Sequence, residues 1–159
     1  MRKFSFFVLL IFNFFVVNSQ ETKVEQEIKS VINVFFDGLH KGDSSLIKKT
    51  LHNDIKIQTT YTNKEGNRVL VTESKEKLLK TIASKKQSDV YFEKLLSYTI
   101  KIDGNLASVW TPYEFYLNNK FSHCGANSFQ LFNNNGSWEI IYLVDMRRRK
   151  NCGKNREKN

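Results

Sequence analysis

Between Val24 and Leu39 the apolar residues stand at Val24, Ile28, Val31, Ile32, Phe35, Phe36 and Leu39. Spacings of three and four line one face of a helix about four turns long. Gly42-Asp43 follows, and Asp43 is placed to cap a second, short helix through Leu46, Ile47 and Leu51. The period then changes. Asn53 to Thr62 alternates, with Ile55 and Ile57 on one side, and predicts a strand. Asn63 to Asn67 predicts a turn, Val69 to Val71 a short strand, and Ser74 the cap of a third helix, Lys75 to Ser84, with Leu78, Leu79 and Ile82 inward. Four β-rich stretches follow: Val90 to Ile102, Leu106 to Leu117, Lys120 to Phe132 and Ser137 to Met146. They are separated by Asp103-Gly104-Asn105, Asn118-Asn119 and Asn133-Asn134-Asn135-Gly136, all hairpin-turn compositions. Helices first and an antiparallel meander after them predict an α+β domain, with the helices packed on one face of a curved antiparallel sheet. The only proline, Pro112, falls inside a predicted strand and marks a bulge or an edge there.

The two ends of the chain differ from this pattern. Met1-Arg2-Lys3 precedes a 14-residue apolar run, Phe4 to Val17, and Asn18-Ser19-Gln20 follows it. This is a basic start, an apolar stretch and a small-residue exit, so residues 1–19 are expected to be a secretory signal peptide cut before Gln20. The run is shorter than the ~20 residues that span a bilayer as a helix, so no stable membrane insertion is expected after cleavage. The expected location is secreted or periplasmic. Residues 20–147 form the expected single domain and 148–159 a basic tail. Removing Arg2 and Lys3 lowers the formal charge from +9 to +7; the segment from Arg147 to Asn159 holds +6 of that, and the body is near +1. The basicity is therefore terminal, and no nucleic-acid partner is expected of the domain. Cys124 and Cys152 are the only cysteines. In an oxidising compartment they either bridge, closing a loop of nearly thirty residues, or remain two unrelated thiols. No zinc or thioredoxin spacing occurs, and the three histidines show no metal pattern. No metal and no cofactor are expected.

Candidate chemistry depends on which side chains share a face. A two-residue loop at Asn118-Asn119 pairs Leu117 with Lys120, Glu114 with His123 and Trp110 with Asn127. A four-residue loop at Asn133 to Gly136 pairs Phe132 with Ser137, Phe129 with Ile140 and Asn127 with Tyr142. Both registers put Trp110, Glu114, Tyr116, Phe121, His123, Asn127, Phe129, Leu131, Trp138, Ile140 and Tyr142 on one face, apolar with a few polar groups, which is the composition of a small-molecule pocket. A slip of one residue would reverse every assignment. On that face Glu114 and His123 are the candidate catalytic acid/base pair, or a structural hydrogen bond for a partly buried imidazole. Asn127 and Tyr142 orient a ligand, and Trp110, Tyr116 and Phe129 offer flat or apolar surface to an aromatic molecule. Asp37 with His40 reads as a surface pair at the end of the first helix, and His52 with Asp54 as capping groups.

The order of elements, with Phe35-Phe36-Asp37-Gly38-Leu39-His40-Lys41-Gly42-Asp43 at the end of the first helix, resembles the nuclear transport factor 2-like superfamily. Tyr113-Glu114-Phe115-Tyr116, Phe121-Ser122-His123-Cys124-Gly125-Ala126-Asn127, Gly136-Ser137-Trp138-Glu139 and Asp145-Met146-Arg147-Arg148 resemble its lumazine-binding branch. Typical members read Asp-Thr-Arg-Arg in the last of these, where this chain has Met146. The resemblance implies a cone-shaped fold, helices wrapped by a bent sheet around a cavity, often as a homodimer. It spans binders and enzymes, so fold alone names no function. The expected function is binding of a small apolar or aromatic molecule without turnover. The alternatives are an isomerase or dehydratase using His123 and Glu114, and a dimeric accessory module.

Overall fold

The computed structural model describes residues 21–153. The expected leader, 1–19, and the tail beyond Gly153 lie outside the described residues. Helix α1 (Lys23–Lys41) starts at Thr22, whose hydroxyl accepts from the Glu25 amide while the Glu25 carboxylate accepts from the Thr22 amide at 2.8 Å. This reciprocal pair satisfies two donors that a helix start otherwise leaves open. The helix ends at Gly42, whose φ of 72° suits a residue with no Cβ. Asp43 caps α2 (Ser44–Thr50) by accepting from the Ser45 and Leu46 amides, and Ser74 caps α3 (Lys75–Ala83). Both begin where their capping residues predict.

Seven strands, β1 (Leu51–Thr62), β2 (Arg68–Glu73), β3 (Tyr91–Leu95), β4 (Thr99–Asp103), β5 (Leu106–Leu117), β6 (Lys120–Asn134) and β7 (Ser137–Arg148), form one curved sheet. Its order is β2-β1-β7-β6-β5-β3, with β4 also beside β5. The strands pair antiparallel except β1 and β7, which run parallel, so the early strand closes against the end of the meander. The stretch Val90 to Ile102, expected as one β-rich segment, is two strands. β3 follows the Tyr113–Leu117 half of β5 and β4 the Leu106–Trp110 half. The break lies opposite Pro112: its carbonyl accepts from the Leu96 amide at 2.9 Å, but it has no N–H to return, and the partner chain leaves there.

The core lies between α1 and one face of the sheet. Ile28, Ile32, Phe35 and Phe36 pack against Val109, Phe129, Leu131 and Ile140, all buried. The Phe129 ring stands edge-on to both Phe35 and Phe36, with centroids 6.1 Å away in each case, an arrangement favoured by the ring quadrupoles. This packing fills the base of the cone.

Candidate functional site

Two β-bulges decide which side chains share the helix-facing side of the sheet. Leu117 pairs with Lys120 as expected, but the register shifts between Phe115 and Tyr116, so Phe115, not Glu114, lies opposite His123. Glu114 pairs with Cys124, and Thr111 takes the place expected for Trp110 opposite Asn127. At the second hairpin the turn is Asn135-Gly136, a two-residue loop rather than four, with Ser137 opposite Asn134. A further shift between Gln130 and Leu131 puts Asp145, not Tyr142, opposite Asn127. Each bulge adds one residue to one strand and reverses the facing of everything beyond it. His123, Asn127, Phe129, Leu131, Trp138 and Ile140 therefore share the helix-facing side, whereas Trp110, Glu114, Tyr116, Phe121 and Tyr142 lie on the outer side. Glu114 and His123 therefore do not stand opposite each other as expected. Glu114 instead accepts from the Tyr116 hydroxyl at 3.0 Å, and the Tyr142 hydroxyl donates to Gln58 at 2.6 Å. Met146 also faces outward, opposite Ala126, so the missing threonine hydroxyl takes nothing from the inner face.

What the inner face does gather, beyond the apolar core, is a set of polar side chains from five strands. Asp145 on β7 accepts from the Thr59 hydroxyl on β1 at 2.6 Å and from the Tyr113 hydroxyl on β5 at 3.3 Å. Arg147, two residues on and so on the same face, donates to it from Nε at 2.5 Å and from Nη2 at 3.3 Å. Asn127 on β6 donates to Glu93 Oε1 on β3 at 2.7 Å. Between these two groups the Thr111 hydroxyl is fully buried and has no partner among the described residues. Gly125 makes the arrangement feasible: a Cβ there would collide with the Met146 carbonyl and lie 2.8 Å from the Tyr113 hydroxyl, so the Tyr113 ring reaches Asp145 only across a bare backbone.

The electrostatics follow from burial. Glu93 is pushed up from 4.5 to about 7, first because burial penalises its carboxylate, with Asp145 adding repulsion against the opposing Asn127 bond. His123, packed edge-on to Tyr113 and against Phe115 at centroid distances of 5.7 and 4.8 Å, is pushed down to about 4 by burial and by the Arg147 charge. The Tyr113 hydroxyl is raised, again chiefly by burial, and remains a neutral donor. His40 is not simply a surface partner of Asp37. Its Nε2 accepts from the Glu93 backbone amide at 2.9 Å, joining the last turn of α1 to the strand that carries Glu93, while Asp37 pairs with Lys41 at 3.6 Å. Burial lowers the His40 pKa, in keeping with a ring that accepts through Nε2.

The sequence reading missed Glu93 and did not assign Asp145, Arg147, Tyr113 or Thr111 to the site. One usable signal was present: Asp145 and Arg147 are two apart on a strand and must share a face. Glu93 offered less, since only tertiary packing buries it. Cys124 and Cys152 form a disulfide, with Cα atoms 5.8 Å apart, that fastens the chain after Arg148 to β6. The bridge is consistent with an oxidising compartment. Among the described residues no group of His, Cys, Asp or Glu could hold a metal ion, and no helix is long and apolar enough to cross a membrane. A hollow of about 290 Å³ opens on the outer side, between Phe92, Lys94, Tyr116 and Asn119. A smaller one of about 150 Å³ lies beside the start of α1, against Glu21, Lys29 and Tyr98.

Solved structures share this fold at low identity. A nuclear transport factor 2-like protein of unknown function from Shewanella baltica is 16% identical with a TM-score of 0.58, over 81% of this chain and 98% of that one. A nuclear transport factor 2-like protein from Cytophaga hutchinsonii is 14% identical with a TM-score of 0.62, over 80% and 100%. One from Streptomyces avermitilis, described as a putative dehydratase of the same family, is 7% identical with a TM-score of 0.59, over 77% and 94%. No curated protein matches the chain in sequence. Residues 23–144 match the family described as putative lumazine-binding, and the chain belongs to that family, with the fold of the nuclear transport factor 2-like structures.

Proposed function

We propose that the protein is an exported binding protein for a small, partly aromatic molecule, and that its ligand lies on the polar end of the inner sheet face. The observation that carries this is the Glu93–Asn127 and Tyr113–Asp145–Arg147 cluster around the unpartnered Thr111 hydroxyl. Buried polar groups cost stability unless paired, and a sheet that needed only a core would continue the apolar surface found two residues away at Phe129. Tyr91, Phe115 and His123 supply ring surface beside the cluster, with Tyr91 and Phe115 5.8 Å apart. The family description supports a small molecule as the ligand class. The test is calorimetric titration of the exported protein with aromatic heterocycles, lumazine among them. Binding that Asn127→Ala weakens at least tenfold, with the fold intact, is the expected result. Unchanged affinity in Asn127→Ala and Glu93→Gln would remove the cluster from the site.

One observation favours turnover as a second reading. A carboxyl at about 7 is able to take and return a proton near neutrality, and the neutral Tyr113 hydroxyl is part of the same cluster. In this reading Glu93 replaces the expected His123–Glu114 pair as acid/base. Turnover of any bound ligand that Glu93→Gln abolishes without loss of affinity would select it. A homodimer belongs to the same proposal, through the outer side of the sheet, where Trp110 is 50% exposed.

A further inference from the structure

Four large apolar side chains that remain exposed gather at one end of the sheet: Val90, Phe92, Leu117 and Phe121, between 40% and 48% accessible. The fold brings them together. Asn118 and Asn119, with φ of 52° and 61°, make the tight β5–β6 turn, and Val90 is clipped to it, donating to Asn118 Oδ1 at 2.7 Å and accepting from the Asn118 amide at 2.8 Å. The Phe92, Tyr116 and Phe121 rings stand in file on the outer side, with successive centroids 6.3 and 5.8 Å apart.

Cations surround this apolar end. Lys120 follows the turn, and Lys94 shares the outer hollow with Asn119 against Phe92 and Tyr116. The basic end of the chain is held close by two constraints. Arg148 pairs with Cys124, three residues past Phe121, and the Cys124–Cys152 disulfide returns the chain to the same point, so Arg149 and Lys150 cannot leave this end. The sequence adds Lys154, Arg156 and Lys158 beyond it. Against these cations stand Asp89 and Glu114, the latter engaged by Tyr116.

We propose that this end docks the protein on an anionic lipid surface, with Phe92, Leu117 and Phe121 entering the headgroup layer and Lys94, Lys120 and Arg148 facing lipid phosphates. Apolar side chains at a turn tip, interleaved with long cationic ones, suit the bilayer interface, where the rings leave water and the ammonium groups stay in it. Neither component suffices alone: stable peripheral attachment takes an apolar anchor and a polybasic patch together. Lysines are depleted at the centre of protein–protein interfaces, and a duplex nucleic acid, held through its phosphates, would leave the phenylalanines in water. The hollow of about 290 Å³ beside Lys94 and Asn119 sets one cation and one amide against the Phe92 and Tyr116 rings, the same mixture of charge and apolar surface.

The experiment is co-sedimentation of the oxidised mature chain with phosphatidylcholine vesicles, with and without phosphatidylglycerol. The expected result is binding only to the anionic vesicles, lost at high salt and weakened at least about fivefold by Lys94→Glu with Lys120→Glu. Phe121→Ser weakens it as well, with an unchanged circular dichroism spectrum and melting point. No binding to anionic vesicles overturns the proposal. Loss with the lysine changes but not with Phe121→Ser also overturns it, and makes the patch a site for a soluble polyanion. A dimer that Phe121→Ser dissociates, in a protein that ignores vesicles, assigns the surface to a second copy instead.

Discussion

The inner face of the sheet is two surfaces built by the same strands. On β6, Phe129 and Leu131 lie in a closed apolar core under α1, while Asn127, the next residue inward on the same alternation, belongs to a hydrogen-bonded cluster. On β7 the corresponding change runs from Ile140 and Leu143 to Asp145 and Arg147. The helix explains the boundary. The apolar stripe of α1 covers one half, and its last turn reaches the sheet through His40, which holds the Glu93 amide. Beyond that point no helix among the described residues offers the strands apolar surface, and their polar side chains pair with each other. One half is organised by area removed from water and the other by hydrogen-bond partners, and the two respond to substitution differently.

The sharpest separation is at Phe129. Phe129→Ala is expected to cost about 3–5 kcal/mol in urea unfolding, because two edge-on ring contacts are lost and a cavity remains. A loss near that of a surface change would mean the apolar half is not a packed core. Breaking the disulfide by Cys152→Ser acts on the polar half, whose arginine-bearing strand end it fastens. For a sequence separation of 28 the loss is on the order of 3 kcal/mol, and it is accompanied by weaker ligand binding, which Phe129→Ala does not change at temperatures where the variant stays folded.

The pH dependence isolates the polar half. The unfolded chain loses the Glu93 proton near 4.5 and the folded chain near 7, so this residue makes stability fall as pH rises through that window. His123 has the opposite effect: the unfolded chain gains its proton near 6.5 and the folded chain only near 4, so stability falls as pH drops. The two slopes oppose each other in the wild type. Glu93→Gln is expected to expose the histidine slope, a stability that falls between pH 7 and 4.5, and His123→Asn the reverse slope. Superimposable urea-midpoint profiles for all three proteins would show that neither group is withdrawn from water. The smallest effect belongs to the outer side. Trp110→Ser is expected to change monomer stability by less than about 0.5 kcal/mol, and its ligand affinity should equal that of the wild type; a weaker ligand would place the site on the wrong side of the sheet.

Much of the fold could be read from local pattern. The apolar spacing of α1, the capping residues Asp43 and Ser74, and the Asn-rich turns each act over a few residues and need no distant partner. Pro112 marked the one position where β5 cannot complete a ladder, and the partner strand breaks opposite it. The site was less readable. His123, Asn127 and Phe129 lie on the inner face, but Trp110, Glu114, Tyr116 and Tyr142 do not, and Glu93 was missed because its 34-residue separation from Asn127 leaves no local trace.

The sequence by itself determined the helices, most of the strands, their order and the two cysteines able to bridge, because periodicity, caps and turn composition are short-range; it did not show the split of Val90 to Ile102 into two strands or the length of the Asn135-Gly136 turn. Only the tertiary structure decided which side chains meet. The bulges at Phe115/Tyr116 and Gln130/Leu131 each add one residue to one strand. Such an insertion barely changes propensity or pattern, yet it turns every later side chain to the other face. That is why Glu93, Asn127 and Asp145 form the polar cluster while Glu114 looks outward.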